Sequence, residues 1–205
     1  MKHKDHTNII PPQQTGKDIE AEASVEFEND ADAINFYYIA KKRLLLVNQW
    51  HHVAGLISSK FQLTDENGEE IDMEAHQGNY IRVDIPGPGS KEGDGYDWGI
   101  IEELNEIAFE DIQSIGFRVR PATNPNKNSE HIAHFYDESA TSNFIITREG
   151  NVVTASIIDR NIKPNDDGGS VVDKIRHTVA GMAAIASFSK VQWQNLADGL
   201  VKKEE

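Results

Sequence analysis

The last thirty residues of the chain carry its longest helical pattern. Between Val172 and Leu200, apolar or small residues recur every three or four positions, as they do in an amphipathic α-helix. Ser170 and Asp173 precede this pattern with the spacing of a capping box, which predicts where the helix begins. A helix over residues 171–200 would be about 45 Å long at 1.5 Å per residue. A single element of this length can cover one whole face of a small sheet.

The segments upstream of this helix mostly alternate apolar and polar residues, which is typical of strands with one buried face. In one of them, Tyr96, Trp98 and Ile100 share a side, and we expect this side to be buried. The predicted strands are residues 23–28, 59–64, 80–85, 96–103, 115–120, 143–148 and 152–158.

Two short segments predict tight turns between neighbouring strands. The Asn67-Gly68 pair favours the two positive φ values of a type I′ hairpin turn. Further along, Gly150 or Asn151 can supply the left-handed residue of a second hairpin. Both turns favour antiparallel pairing of the strands that flank them.

A helical region separates the first predicted strand from the others. From Ala33 to Ala54, apolar residues recur at three and four, and this stretch can be one helix or two with a break near Asn48 and Gln49. The residues before it, 29–32, are short polar side chains that favour an N-cap.

The order of these elements predicts an α+β fold. Only the C-terminal helix is long and apolar enough to cover the sheet, so we expect a curved antiparallel sheet of about six to seven strands packed around it. This order resembles the helix-grip fold of the START and polyketide-cyclase-like superfamily, over about residues 23–200. The resemblance rests on element order and brings no catalytic motif. It implies a shape in which many members hold apolar ligands between sheet and helix, while others are enzymes or bind proteins.

The composition excludes several classes of function. The chain has 205 residues, with 34 acidic and 20 basic side chains and a net charge of −14. Such a charge disfavours nucleic acid or an anionic membrane as a partner, because both require a positive surface. The absence of cysteine excludes disulfides, thiolate metal sites and a cysteine nucleophile. No apolar run approaches the roughly 18 residues that a membrane-spanning helix needs.

The N-terminal segment predicts neither export nor a domain of its own. Residues 1–18 contain a single apolar pair, Ile9-Ile10, followed by two prolines, and so lack the apolar core of a secretory signal. We therefore expect a flexible tail over residues 1–18, a single domain over residues 19–205 and a cytoplasmic location.

The candidate binding residues are mostly aromatic. Side chains of this kind build cores, and they line a ligand pocket where the space between sheet and helix is unfilled. Histidine at the end of the first helical region is the candidate for the mouth of such a pocket. The predicted ligand-binding residues are Trp50, His51, Trp98, Phe117, Phe144, Met182 and Trp193.

Three other groups of residues have side chains that could form a functional site. We predict no catalytic residue, cofactor or metal from them. The loop at residues 86–95 is rich in Pro and Gly but lacks the order of a phosphate-binding loop. His131 and His134 have metal-ligand spacing on a helix, yet no helix and no third ligand is indicated there. Four arginines face away from the apolar rows and can either grip an anion or form cross-strand ion pairs. They are Arg82, Arg118, Arg120 and Arg148.

Three hypotheses follow for function. The first is a non-catalytic binding module that holds a small apolar or amphipathic ligand between the sheet and the C-terminal helix. The second is an acidic module with a filled core that contacts a protein partner through residues 86–95 or 121–142. The third is a cyclase- or hydrolase-like enzyme that uses His51, His52 or His134 at a pocket mouth. A cavity of several hundred Å³ under the helix would favour the first over the second.

Overall fold

The computed structural model describes residues 5–55, 59–85, 90–165 and 179–203. No helix in these ranges is long and apolar enough to cross a lipid bilayer. Strands and helices follow one another in the predicted order. They are β1 (Lys17–Glu26), α1 (Asp30–Leu45), a 3-10 turn (Val47–Gln49), α2 (Trp50–Val53), β2 (Lys60–Thr64), β3 (Tyr80–Asp84), β4 (Asp97–Ala108), β5 (Ile112–Pro121), β6 (Thr141–Glu149), β7 (Val152–Ile162) and α3 (Val179–Leu200).

The seven strands that the structure describes form one antiparallel sheet. Its order is β1-β7-β6-β5-β4-β3-β2, so that the first strand pairs with the last and the remaining strands follow as a meander. With α1, α2 and α3 on one face, which we call the inner face, the predicted α+β class is confirmed. The architecture is the helix-grip-like one that the element order indicates.

Trp193 of α3 shows how strongly the sheet curves. β2 and β6 are four strand spacings apart, a distance of about 19 Å in a flat sheet. Yet the indole centroid lies 6.0 Å from the ring of Phe61 in β2 and 5.2 Å from the ring of Phe144 in β6. The two halves of the inner face therefore fold toward each other around the C-terminal helix.

The first helical region is broken where the sequence predicts it. The side chain of Asn29 caps α1 by accepting a hydrogen bond from the amide of Asp32 at 3.0 Å. The helix ends at Leu45, and a 3-10 turn leads into the short α2. The indole Nε1–H of Trp50 donates to the carbonyl oxygen of Leu44 at 3.0 Å, which fixes α2 against α1 and turns the indole into the core.

Of the two predicted turns, only the second has the expected form. Gly150 adopts a φ of 57° between β6 and β7, which confirms that hairpin. At the first turn only Gly68 has a positive φ, so the type I′ prediction is wrong. The physical reason is Asp65, whose Oδ1 accepts the amides of Asn67 and Glu69 and holds a different turn. β2 then pairs with β3 after a connection over residues 65–79.

The outer face of the sheet is covered by irregular segments. Residues 5–16 lie along it, and Ile9 is fully buried there over Gly116 in β5. The side chain of Arg118 donates to the carbonyl oxygen of Ile9 at 2.5 Å. At the other end, Asn161 accepts the amides of Gln14 and Thr15 through its Oδ1. The described part of the N-terminal segment is thus held against the sheet by both packing and hydrogen bonds.

Candidate ligand-binding cavity

A cavity of about 310 Å³ lies between the inner face of the sheet and α3. This volume is at the lower end of the range that small-molecule sites occupy. The wall combines residues of α2 and of β2 to β6 with the middle of α3 and the segment before β6. The described residues that line it are Trp50, Ser59, Phe61, Ile81, Val83, Ile85, Gly99, Val119, His134, Phe135, Tyr136, Ser142, Phe144, Phe188, Ser189, Gln192 and Trp193.

Four aromatic rings form the largest apolar part of this wall. The Trp50 ring lies 5.2 Å from that of Phe61 and 4.8 Å from that of Phe144, measured between centroids. Phe61 and Phe144 in turn contact Trp193. These tilted and edge-on arrangements are the ones that aromatic pairs prefer. They hold the rings in fixed orientations around the apolar end of the cavity.

Three of the predicted binding residues meet at this aromatic wall: Trp50, Phe144 and Trp193. Phe117 lies one layer behind them. It is fully buried on β5, with its ring centroid 6.1 Å from that of Trp50 and 5.3 Å from that of Phe144. Phe117 therefore supports the wall without being part of it.

The structure places the other predicted residues elsewhere. Trp98 lies on the outer face, because the inward positions of β4 are Gly99 and Ile101. Its indole N–H donates to the carbonyl oxygen of Gly93 at 3.2 Å, and its backbone amide donates to Ala133. The β4 side that we expected to face the core is therefore buried under loops instead.

His51 also falls outside the described cavity wall. Residues that follow one another on a helix point about 100° apart, so the inward orientation of Trp50 turns His51 away. The His51 ring lies against that of His52, tilted by 45° and with 3.7 Å between centroids. Met182 belongs to α3, but its side chain lies outside the described residues.

Neutral polar side chains line a second part of the wall. They come from the segment before β6, from β6 itself and from α3, and none of them is among the predicted binding residues. His134 was considered only as a metal ligand or a catalytic base. Its Nδ1 accepts the backbone amide of Tyr136 at 3.0 Å, so that nitrogen carries no proton in this arrangement. The other members are Tyr136, Ser142, Ser189 and Gln192.

A buried carboxylate lies directly behind this polar wall. Asp159 of β7 pairs in register with Ser142 of β6, and its Oδ2 accepts the indole N–H of Trp193 at 2.9 Å. Burial raises the pKa of Asp159 from its ordinary 3.8 to about 6, because desolvation outweighs the neighbouring Ser142, Trp193 and Arg160 groups that lower it. The second oxygen, Oδ1, is buried and accepts no hydrogen bond.

Tyr136 connects the polar wall to this carboxylate. Burial raises the pKa of its hydroxyl, and the negative charges of Asp159 and Asp97 raise it further. Tyr136 therefore stays protonated across the physiological range, as a neutral group that can donate one hydrogen bond. The region around Tyr136, Ser142 and Trp193 is thus polar, uncharged at its surface and close to negative charge.

Three of the four arginines considered for anion binding are engaged in ion pairs that lie away from the cavity. On the outer face, a β-bulge in β4 aims Glu102 at both Arg118 and Arg120, with 2.6 Å from Arg120 Nε to Oε2. Although burial alone would raise the pKa of Glu102, the two guanidinium groups lower it. Arg82 pairs with Glu70. For these three arginines the structure therefore shows ion pairs, which is the alternative to anion binding that the sequence left open.

Arg148 does not follow the expected pattern. We predicted it opposite the apolar row, but it shares the inner face with Phe144 and Ile146 and is only 2% exposed. Its guanidinium donates to Gln113 Oε1 and to the carbonyl oxygens of Glu110 and Gly150, at 2.7 to 3.0 Å. Because these acceptors satisfy the buried cation locally, it is not available to a ligand in the cavity.

No protein-family model and no curated protein sequence matches the chain. Solved structures that are similar include the hypothetical protein jhp0584 from Helicobacter pylori, with 11% identity, coverage of 95% of this chain and 97% of that one, and a TM-score of 0.49. Truncated norcoclaurine synthase from Thalictrum flavum has 11% identity, coverage of 90% and 96%, and a TM-score of 0.33. Major latex-like protein 151 from Panax ginseng has 16% identity, coverage of 84% and 97%, and a TM-score of 0.30.

Proposed function

We propose that this protein is a non-catalytic binding module that holds a small amphipathic ligand between the inner face of its sheet and α3. The observation that carries the proposal is the cavity of about 310 Å³, with aromatic rings at one part of its wall and neutral polar groups at the other. A core that served packing alone would close such a space, because empty volume in a protein interior is costly. The helix-grip resemblance, which implies ligands in this place, supports the same conclusion.

The lining residues favour an apolar ligand body. Trp50, Phe61 and Trp193 are each at least nine-tenths buried, and their rings present flat apolar surface. Burial of apolar ligand surface against them contributes roughly 25 cal/mol per Å² before the entropic costs of binding. The Ser142, Ser189 and Gln192 side chains add groups that can orient a single polar head. An amphipathic molecule matches both parts of the wall.

Fluorescence with N-phenyl-1-naphthylamine, which is uncharged at neutral pH, tests the proposal. We expect saturable binding by the wild-type protein with enhanced emission. Val119 of β5 lines the cavity, so Val119→Phe fills part of it and should weaken binding by about tenfold or more.

Val191→Phe is the matched control for this experiment. Val191 lies on α3 and is 61% exposed, so the same enlargement there adds no bulk to the cavity. We expect wild-type affinity in this variant. Absence of binding in the wild type, or equal weakening in both variants, would contradict the proposed function.

A second candidate function, catalysis in the same cavity, is favoured by one observation. His134 lines the cavity beside Tyr136, with 5.6 Å between ring centroids. Because its Nδ1 accepts a backbone amide, the neutral ring carries its proton on Nε2, which can donate a hydrogen bond to a substrate carbonyl group. A His134→Leu variant, which removes this donor, that binds the naphthylamine probe normally but loses turnover of a hydrolysable ester would establish this candidate.

A further inference from the structure

The charges around the cavity are distributed unevenly. No Lys, Arg, Asp or Glu is among the described residues that line it, so the described wall carries no formal charge with His134 in its neutral form. Immediately behind the wall, however, the carboxylate of Asp159 is 1% exposed. The nearest basic residue in the sequence, Arg160, is paired with Glu20 and Asp18.

Asp159 lacks the compensation that a buried carboxylate usually has. Its Oδ2 accepts one hydrogen bond from Trp193, and Ser142 lies beside it, but Oδ1 accepts none. A buried charge without a partner is costly, and proteins normally supply a cation or several donors. Trp193 and Ser142 are hydrogen-bonding neighbours of this carboxylate, Tyr136 is close enough to feel its charge, and all three are residues of the cavity wall.

We propose that the ligand carries an amine, and that its ammonium group occupies the end of the cavity bounded by Ser142, Tyr136 and Trp193, next to the Asp159 carboxylate. This inference rests on the proposed binding function and adds the chemical class of the ligand. The hydroxyl oxygens of Ser142 and Tyr136 accept hydrogen bonds from the ammonium group, and the aromatic face of Trp193 attracts it further. Asp159 supplies the charge that compensates the ammonium group for its loss of water.

The same arrangement acts against a ligand carboxylate. An anionic head would lie near Asp159 in a region of low dielectric constant, where like charges repel strongly. No described basic side chain lines the cavity to offset that repulsion. Alcohols, which are neutral, should bind with an affinity between those of amines and carboxylates. The cavity therefore selects by charge as well as by shape.

Calorimetric titration with three ligands of one ring system tests this proposal: 1-naphthylmethylamine, 1-naphthalenemethanol and 1-naphthoate. The aromatic body is the same in all three, so differences in affinity report the head group. We expect the amine to bind about tenfold or more tightly than the naphthoate, which is the range that charge-assisted hydrogen bonds span, with the alcohol between them. In Asp159→Asn, which keeps an acceptor for Trp193, the amine should bind no better than the alcohol.

Asp84→Asn is the matched control, because it removes the same charge from an exposed position at the end of β3. We expect the preference for the amine to persist in this variant. Binding of the alcohol by Asp159→Asn shows that the cavity is intact in that variant. A naphthoate affinity equal to that of the amine, or an amine preference that survives Asp159→Asn, would overturn the charge selection. Failure of all three ligands and of the naphthylamine probe would instead contradict the binding function itself.

Discussion

Trp193 and Asp159 join the C-terminal helix to the last strand through a buried hydrogen bond, with 2.9 Å between the indole Nε1 and Oδ2 of the carboxylate. The same indole forms part of the cavity wall and contacts Phe61 and Phe144. One residue thus anchors α3, shapes the aromatic end of the cavity and supports the carboxylate behind its polar end.

Replacement of Trp193 should separate its packing role from its hydrogen-bonding role. The side chain is 8% exposed, so Trp193→Ala leaves a large void and should lower the free energy of unfolding by about 3 to 5 kcal/mol. Trp193→Phe keeps most of the packing and loses the donor to Asp159, for a cost of about 1 to 3 kcal/mol. Chemical denaturation measures both values. A change within about 0.5 kcal/mol in Trp193→Ala would show that α3 is not part of the core.

The raised pKa of Asp159 predicts that this residue stabilises the protein in acid and not at neutral pH. A carboxyl group whose pKa is higher in the folded than in the unfolded state contributes stability that is fully present below pH 3.8 and is lost as the pH rises to about 6. The difference of about 2 pKa units corresponds to roughly 3 kcal/mol.

Asp159→Asn removes this titration. Its free energy of unfolding relative to wild type should therefore rise by roughly 2 to 3 kcal/mol between pH 4 and pH 7. Urea denaturation of both proteins at the two pH values measures the difference. Other acidic groups titrate equally in both, so the comparison isolates Asp159. A difference that stays constant from pH 4 to pH 7 would contradict the predicted pKa.

The fold could be predicted because one element dominates it. The helical pattern ending at Leu200 is the longest in the sequence, and it is long enough to cover a large part of a sheet. The break near Asn48 and the hairpin at Gly150 follow from local side-chain chemistry, which the sequence displays directly. Such local signals need no knowledge of distant contacts.

The side of β4 that faces the core could not be predicted, because both of its rows are apolar near the start of the strand. Trp98 and Ile100 form one row, and Gly99 and Ile101 form the other. Alternation then gives no preference, and the larger side chains suggested the wrong row. On the outer face the indole of Trp98 bonds to Gly93, which precedes β4, and its backbone bonds to Ala122 and Ala133, which lie far along the chain.

The polar part of the cavity had a signal that could have been used. Ser142 lies two residues before Phe144, and Asp159 lies two residues after Ile157, so both continue inward rows of their strands. A polar residue that continues an apolar row marks a position where the core is hydrogen-bonded or lines a cavity. The proximity of Trp193 to Asp159 depends on the packing of α3, which no local pattern encodes.

Gly116 and Ile9 should depend on each other. A Cβ atom at Gly116 would lie 2.6 Å from Cδ1 of Ile9 and 3.0 Å from Cγ1 of Ile145, so Gly116→Ala forces the N-terminal segment to shift. We expect a loss of about 1 to 3 kcal/mol, as in other overpacked sites. The amides of Gln14 and Thr15, which Asn161 accepts, should exchange with solvent faster.

Ile9→Ala provides the matched background for this test. Shortening the Ile9 side chain leaves space for the methyl group added at Gly116. In this background Gly116→Ala should therefore lower the free energy of unfolding by about 1 kcal/mol less than it does in the wild type. Chemical denaturation of the wild type, the two single variants and the double variant gives the four free energies of this double-mutant cycle. Additive effects would show that Ile9 does not press on Gly116 in solution.

Arg148 should be the arginine whose replacement by lysine is most costly. Its guanidinium donates three hydrogen bonds, to Glu110 in the β4–β5 turn, to Gln113 in β5 and to Gly150 in the β6–β7 turn. Lysine keeps the charge but cannot present the same fork of donors, so the buried Gln113 and the partly buried carbonyl groups of Glu110 and Gly150 cannot all keep a partner. We expect Arg148→Lys to lower the free energy of unfolding by about 2 to 4 kcal/mol.

Arg82→Lys is the matched control for Arg148→Lys. Arg82 also forms a short ion pair, with Glu70, but both side chains are partly exposed to solvent. Exposed pairs of this kind contribute about 1 kcal/mol or less, and lysine can replace arginine in them. Denaturation at neutral pH measures both variants. Equal costs would mean that burial does not distinguish the two arginines, and that the turn-to-turn link through Arg148 adds little to stability.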